Sequence, residues 1–329
     1  MHLALERIPM TPTSQSPTRK HVLDLDDFSR DEILEVLETA KSMKEILGRP
    51  IPQAPTLRGF NIVNLFYEES TRTRISFELA AKALSANVIN MSAKGSSIEK
   101  GESLVDTLRT LQALGTSIAV IRHSESGAPY LAAQHFKGSV INAGDGRHAH
   151  PSQALLDLFT IQERLGSLEG LKVAIVGDIL HSRVARSDLW GLTTMGAQVT
   201  LCAPNTLLGS RDYWTKTWPQ ISITSNINEA VSDADVIMTL RLQKERMQSG
   251  LLPSLREYTR FFGITAERVK LAKPTCLVMH PGPMNEGVEI MPDVATSAQS
   301  VIEQQVTNGV ALRMALLYRV AGAGQSDAL

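Results

Sequence analysis

From Phe60 to His280 short β-rich runs alternate with longer stretches of helical periodicity, in two successive series. FNIVNLFY, TRISFELAAKAL and NVINM read as strand, helix and strand, and ESLVDTLRTLQAL, SIAVIR, SVINAG and PSQALLDLFTIQERLG continue the rhythm. A second series opens at LKVAIVGD and runs through VARSDLWGLTTMG, QVTLCAP, ADVIMTL and CLVMH. Strands joined through helices pair in parallel by right-handed crossovers, so the pattern predicts two α/β domains, each on a parallel sheet. A chain of 329 residues is long enough for two such cores. The helix from Pro151 to about Leu165 is the natural bridge between them. A last helix, from about Ser297 to Val320, can run from the second domain back onto the first.

Ahead of the first series, Ser29 and Glu32 have the spacing of a capping box. Ile33, Val36, Leu37, Ala40, Met43 and Leu47 then recur on one helical face, and Gly48 with Pro50 stops the helix. Residues 1–18, rich in Pro, Ser and Thr towards their end, are expected to form a mobile tail without chemistry. Thirty-three basic against 34 acidic side chains leave a net charge of -1, without the surplus of a nucleic-acid binder. Two cysteines cannot build a disulfide framework. No apolar run approaches the roughly 20 residues of a membrane span, and the first eight residues carry no secretion signal. The expectation is a soluble cytoplasmic protein that binds neither nucleic acid nor membrane.

In open parallel sheets ligands bind beyond the carboxyl ends of the strands, so the residues following each strand matter most. Ser70-Thr71-Arg72-Thr73-Arg74 lies between a strand and a helix, where free N–H groups, hydroxyls and a guanidinium suit a phosphate. The alternative is that Ser70 or Thr71 only caps the helix and Arg74 pairs with Glu78, the favoured reading for Arg74 itself. Arg122 ends another strand and can reach a carbonyl or phosphate oxygen, or serve as a surface ion-pair partner. After the next strand, Gly144-Asp145-Gly146 leads to His148, His150 and Pro151. With Pro151 at the first helical position, His150 and Gln153 can face one substrate. Two histidines beside an aspartate lack the further ligands of a zinc site, so no metal is expected and His148 is read as structural or interfacial. In the second series Gly177-Asp178 is followed by Ile179 and His181 rather than a glycine fingerprint, which argues against a nicotinamide cofactor. Arg183 and Arg186 follow it. Arg241, Gln243, Lys244 and Arg246 follow ADVIMTL, either as a binding cluster or as a solvated loop. His280-Pro281-Gly282-Pro283 forms a stiff turn able to present carbonyls to a ligand.

Taken together these strings resemble the catalytic chains of aspartate carbamoyltransferases, from about His21 to the last helix. The marks are STRTRISFE at Ser70–Glu78, SSIEKGE at Ser96–Glu102, GDGRHAHPSQ at Gly144–Gln153, TLRLQKER at Thr239–Arg246 and HPGPMN at His280–Asn285. The phosphate string is shared with ornithine carbamoyltransferases. Those relatives carry HCLP in place of HPGP and lack the KGE loop of Lys100–Glu102, so the aspartate branch is preferred. The resemblance implies two doubly wound parallel-sheet domains in the aspartate/ornithine carbamoyltransferase fold. Residues 19–151 with 301–322 would bind carbamoyl phosphate, and residues 152–300, including the linker helix, L-aspartate. It also implies transfer of the carbamoyl group to L-aspartate in pyrimidine synthesis, with no cofactor.

By the same resemblance Ser70, Thr71, Arg72 and Thr73 hold the phosphate. Arg122, His150 and Thr73 hold the carbamoyl oxygen, while Gln153 and the carbonyls around Gly282 and Pro283 orient the amino group. Arg183, Arg241 and Gln243 grip the aspartate carboxylates. The polar stretch Met91–Gly101 reads as an exposed mobile loop. The resemblance sends Ser96 and Lys100 from it into a neighbouring subunit's site, within a homotrimer of shared sites. It leaves room for a regulatory chain or a dihydroorotase-type partner. Two positions depart from the pattern: Glu286 stands where Arg is usual, which questions any ion pair made there, and Ser152 replaces a common Thr.

Overall fold

A computed structural model describes residues 19–92, 101–243, 251 and 254–326. Its first half comprises α1 (Arg30–Leu47), β1 (Asn61–Phe66), α2 (Thr71–Ala83), β2 (Asn87–Ser92), α3 (Leu104–Ala113), β3 (Ile118–His123), α4 (Ala128–His135), β4 (Ser139–Asp145) and α5 (Pro151–Leu165). The second half begins with β5 (Lys172–Val176), α6 (Arg183–Thr194), β6 (Gln198–Cys202), α7 (Asn205–Leu208), α8 (Arg211–Thr217) and β7 (Ser222–Thr224). It continues through α9 (Ile227–Val231), β8 (Val236–Thr239), α10 (Leu255–Phe262), α11 (Ala266–Val269), β9 (Leu277–Met279), α12 (Pro292–Ala295) and α13 (Ile302–Ser326).

The strands form two sheets, ordered β2-β1-β3-β4 and β7-β6-β5-β8-β9, and every pairing is parallel. Side chains alternate across each strand, so the central strands serve two cores. Ile62 and Phe66 of β1 pack with Phe77, Leu312 and Leu316 on one face. Val63 and Leu65 pack with Leu108 and Leu111 of α3, Ala132 of α4 and Phe136 just after it on the other. The first of these cores runs on without a break through Leu155, Leu158 and Leu189 into the second sheet, where it takes in Val173, Ile175 and Met238.

Helix α1 carries the expected capping box: Ser29 Oγ accepts from Glu32 N and a Glu32 carboxylate oxygen accepts from Ser29 N. Ser29→Ala is expected to cost about 1 kcal/mol, seen as a lower denaturation midpoint at unchanged slope in chemical unfolding. The terminal helix begins at Ile302, five residues later than the periodicity suggests. Before it, Val278 N donates to Gln299 O and Val301 N to Val278 O, so this segment lies beside β9 as extended chain. From there α13 packs on α1, α2 and α5, as the return helix should. Helix α4 and the three-residue β7 have no counterpart in the sequence reading. The eight residues of α4 carry little periodic signal, and β7 is shorter than any pattern can report.

Candidate active site

The carboxyl ends of β1, β3, β4, β5, β8 and β9 open on one cavity of about 600 Å³ between the two sheets. From the first domain come Ser70, Thr71, Arg72 and Thr73 at the start of α2, Arg122 at the end of β3, and His150 and Gln153 at the start of α5. From the second come Arg183 at the start of α6, Arg241 and Gln243 after β8, and Gly282 and Pro283 after β9. Residues 70 to 283 thus contribute to one space, although the stretches lie far apart in the chain. Ser96 and Lys100, assigned to a shared site, and Lys244 and Arg246, in the charged string, lie outside the described residues.

Local structure explains why the phosphate string points inward. Ser70 takes the N-cap position of α2 with extended backbone, yet its side chain makes no capping hydrogen bond. The capping alternative is therefore not the structure's choice, and the first N–H groups of α2 face the cavity. The expected Arg74–Glu78 pair also gives way: Glu78 accepts instead from Lys82 Nζ at 2.6 Å and Asn90 Nδ2 at 2.9 Å. A lysine four residues after a glutamate is the better oriented partner on a helix.

Two glycines let the arginines approach. At Gly144, with φ +115°, a Cβ would lie 3.1 Å from Arg183 Nε and 3.2 Å from Arg122 Nη1. At Gly282, with φ +67°, a Cβ would lie 1.5 Å from Arg72 Nη1, so the turn after β9 sits directly on the phosphate arginine. That turn is braced from below, where Gly282 N donates to His280 Nδ1 at 2.8 Å.

The cavity is strongly cationic. Among the described residues Arg72, Arg122, Arg183, Arg241 and Arg313 line it against only Glu68 and Glu69. Glu68 Oε2 accepts from Arg183 Nη2 at 2.5 Å and lies 3.3 Å from Arg122 Nε, tying the second domain's arginine to the first domain's. Arg313 is 4% exposed on α13, and burial lowers its pKa to about 10, which still leaves it charged at neutral pH. Burial, then Arg122, Arg183 and Arg313, hold the His150 imidazole well below the ordinary histidine range. His150 is therefore a neutral ring in a positive field, a donor through one nitrogen without being a cation.

Several cavity residues escape the sequence reading. Glu68 precedes the phosphate string by two positions and looks like an ordinary surface acid. Gln305 and Arg313 sit on the terminal helix, Arg313 within the apolar run ALRMALL. A buried arginine in such a run is the one available signal. His148 lies outside the cavity lining. Its Nδ1 is 3.1 Å from Asp145 Oδ2 and its Nε2 3.5 Å from Asp24 Oδ2, which suits the structural role expected of it. Glu286 is exposed and makes no ion pair among the described residues. Among the described residues no group of three or more His, Cys, Asp or Glu side chains is placed to hold a metal ion.

Comparison with known proteins matches both halves. Residues 20–163 match the aspartate/ornithine carbamoyltransferase carbamoyl-phosphate-binding domain, and residues 169–320 the aspartate/ornithine-binding domain. The aspartate carbamoyltransferase catalytic subunit of Roseiflexus sp. (strain RS-1) is 75% identical over 315 residues, 96% of this chain and 99% of that protein. That of Chloroflexus aurantiacus (strain J-10-fl) is 67% identical over 92% of this chain and 99% of that protein. Among solved structures, aspartate transcarbamoylase from Trypanosoma cruzi in complex with carbamoyl phosphate and aspartate superimposes with a TM-score of 0.83 at 32% identity. That match covers 94% of this chain and 98% of that one. Ornithine carbamoyltransferase from Pyrococcus furiosus gives a TM-score of 0.81 at 30% identity, over 92% and 97%. Two parallel-sheet domains, the arginine-lined cavity between them and these matches agree: the chain belongs to the aspartate/ornithine carbamoyltransferase family.

Proposed function

We propose that this chain transfers the carbamoyl group of carbamoyl phosphate to L-aspartate, giving N-carbamoyl-L-aspartate and phosphate, the carbamoylation step of de novo pyrimidine synthesis. The observation that carries this reading is that, among the described residues, five arginines face two glutamates around one cavity shared by both domains. The two substrates bring roughly four negative charges at neutral pH, about two of them from the phosphate. Such charges assemble in a partly desolvated cleft only where cations meet them. The aspartate branch is favoured over the ornithine branch by HPGP at His280–Pro283, by the KGE loop and by relatives at 67% and 75% identity.

Carbamoyl phosphate lies on the first domain, residues 19–151 with 301–322, and L-aspartate on residues 152–300. Ser70, Thr71, Arg72 and Thr73 hold the phosphate with the free N–H groups of α2. Arg122, Thr73 and neutral His150 donate to the carbamoyl oxygen, and Gln153 with the carbonyls around Gly282 and Pro283 accepts from its amino group. Arg183, Arg241 and Gln243 receive the carboxylates of aspartate. The amine attacks the carbonyl carbon, charge builds on the oxygen, and its three donors stabilise that charge. The bond to phosphate then breaks, and the leaving phosphate takes the amine's proton. Catalysis is mostly orientation and fixed charge, with the two domains closing over the pair of substrates. The assay is product formation by the purified chain with L-aspartate or L-ornithine as acceptor. Carbamoyl aspartate is the expected product, and turnover of ornithine alone would overturn the assignment.

The site is completed in a homotrimer, with Ser96 and Lys100 supplied by a neighbour. Support comes from the edge of the first sheet: Ile75 and Leu79, one turn apart on α2, and Ile89 on edge strand β2 are exposed by 45%, 51% and 48%. Exposed large apolar side chains along a sheet edge are characteristic of an interface. Co-assembly of two inactive variants, Lys100→Ala and Arg72→Ala, is expected to restore part of the activity, because some hybrid sites keep both residues. Verified hybrids as inactive as either parent would exclude shared sites. Two free, buried thiols, Cys202 and Cys276, fit a reducing cytoplasm, and no helix among the described residues is long and apolar enough to cross a membrane.

A further inference from the structure

A carbamoyl and an acetyl group are nearly the same size, and only the carbamoyl group has N–H donors. Telling them apart needs acceptors that face the cavity, and an amide side chain supplies one only when it is turned the right way. Gln153 is turned by Asp157, one helical turn further along α5. Gln153 Nε2 donates to Asp157 Oδ1 at 3.1 Å and to Oδ2 at 3.3 Å. Gln153 Oε1, the acceptor, is left with no partner among the described residues, on a side chain that lines the cavity.

The same carboxylate holds the turn after β9. The backbone N–H of His280, which can only donate, bonds Gln305 Oε1 at 3.0 Å. That contact orients the Gln305 amide, so its Nε2 donates to Asp157 Oδ1 at 2.7 Å. Asp157 Oδ1 is therefore an acceptor, and Gln153 Nε2, 3.1 Å away, donates to that same oxygen. Burial pushes the Asp157 carboxyl up to about 7, and in either protonation state Oδ1 remains an acceptor. All three side chains are buried: Asp157 is 2% exposed, Gln305 3% and Gln153 8%. A network so enclosed has few other ways to satisfy its polar atoms.

We propose that Asp157 is a positioning residue for substrate selectivity: through Gln153 directly, and through Gln305 and the His280–Pro283 turn, it aims acceptors at the amino group of the phosphorylated donor, so that the site selects a carbamoyl over an acetyl group. The proposal rests on the placement of carbamoyl phosphate given above. Acetyl phosphate, which replaces the amino group by a methyl, is the probe. Selectivity is the inhibition constant of acetyl phosphate divided by the KM for carbamoyl phosphate, measured on the full-length enzyme.

In Asp157→Leu this ratio is expected to fall about tenfold or more, the equivalent of roughly one lost hydrogen bond, with the acetyl phosphate constant little changed. Asp157→Asn keeps one acceptor oxygen and is expected to keep most of the selectivity. An unchanged ratio in Asp157→Leu, or equal weakening of both ligands, overturns the proposal. Should that variant not fold, Gln305→Met severs the link to the turn at nearly constant volume. A ratio lowered by about threefold, part of one hydrogen bond's worth, then supports the proposal, and an unaltered ratio overturns it. A wild-type enzyme that does not use carbamoyl phosphate refutes the site assignment itself, a result distinct from wild-type selectivity that survives in the variants.

Discussion

Replacing His150 by alanine is expected to lower kcat by roughly 10- to 1,000-fold, with a much smaller change in the affinity for carbamoyl phosphate. The residue lines the cavity, 4% exposed, and its ring is held neutral by burial and three arginines. A neutral donor gains most as the carbamoyl oxygen takes on charge, which occurs in the transition state rather than on binding. The backbone here does not depend on the imidazole. His150 N donates to Ser187 Oγ at 2.9 Å, and the side chain makes no capping bond to α5. Steady-state kinetics decides the point, since an unchanged kcat with only weaker carbamoyl phosphate binding would falsify the role. The pH dependence follows from the direction of the shift. In the unfolded chain this imidazole takes up a proton near about pH 6.5, whereas the native one does so only at lower pH. Its contribution to stability is present above that pH and is lost as pH falls through the native value. The alanine variant is expected to show a shallower acid-side loss of stability.

Arg241→Ala is expected to raise the KM for aspartate by about 10- to 150-fold, equivalent to the roughly 1.5–3 kcal/mol of a charge-assisted hydrogen bond. Affinity for carbamoyl phosphate should change far less. Arg241 leaves the end of β8 in a segment held by Gln243 N donating to Asp178 Oδ2 at 3.1 Å. Its side chain thus reaches the cavity from the second domain. Comparing the two substrate constants tests the clamp. Equal weakening of both would point to a collapsed cavity.

Much of this architecture is legible in the sequence because its signals are local. A serine and a glutamate three residues apart make a capping box wherever the helix goes, and α1 has one. Apolar runs separated by helical periods pair in parallel, and the order of the strings already places Arg72, Arg122, His150, Arg183 and Arg241 at or beyond strand ends. The early start expected for the last helix gave way to a contact that no local signal reports. Residues 297–301 look as helical as those that follow, yet 297–299 form a turn and the backbone of Gln299 and Val301 bonds to Val278 of β9. Glu68 gave no signal, because a lone acid near a strand end is common and its meaning here is the pair of arginines it joins.

The sequence by itself determined the parallel α/β architecture, the helix boundaries marked by caps and the residue types able to meet two anionic substrates. Those properties depend on neighbours within a few positions, so a linear reading captures them. Tertiary structure alone decided which strand ends face each other, and so brought Gln305 and Arg313 from the terminal helix to a cavity whose other walls lie up to some 240 positions earlier. It also decided that His150 is neutral and that the Gln153 amide turns its oxygen outward. Burial, electric field and the direction of a hydrogen bond are set by every group packed around an atom, and here those groups come from both domains and from the terminal helix.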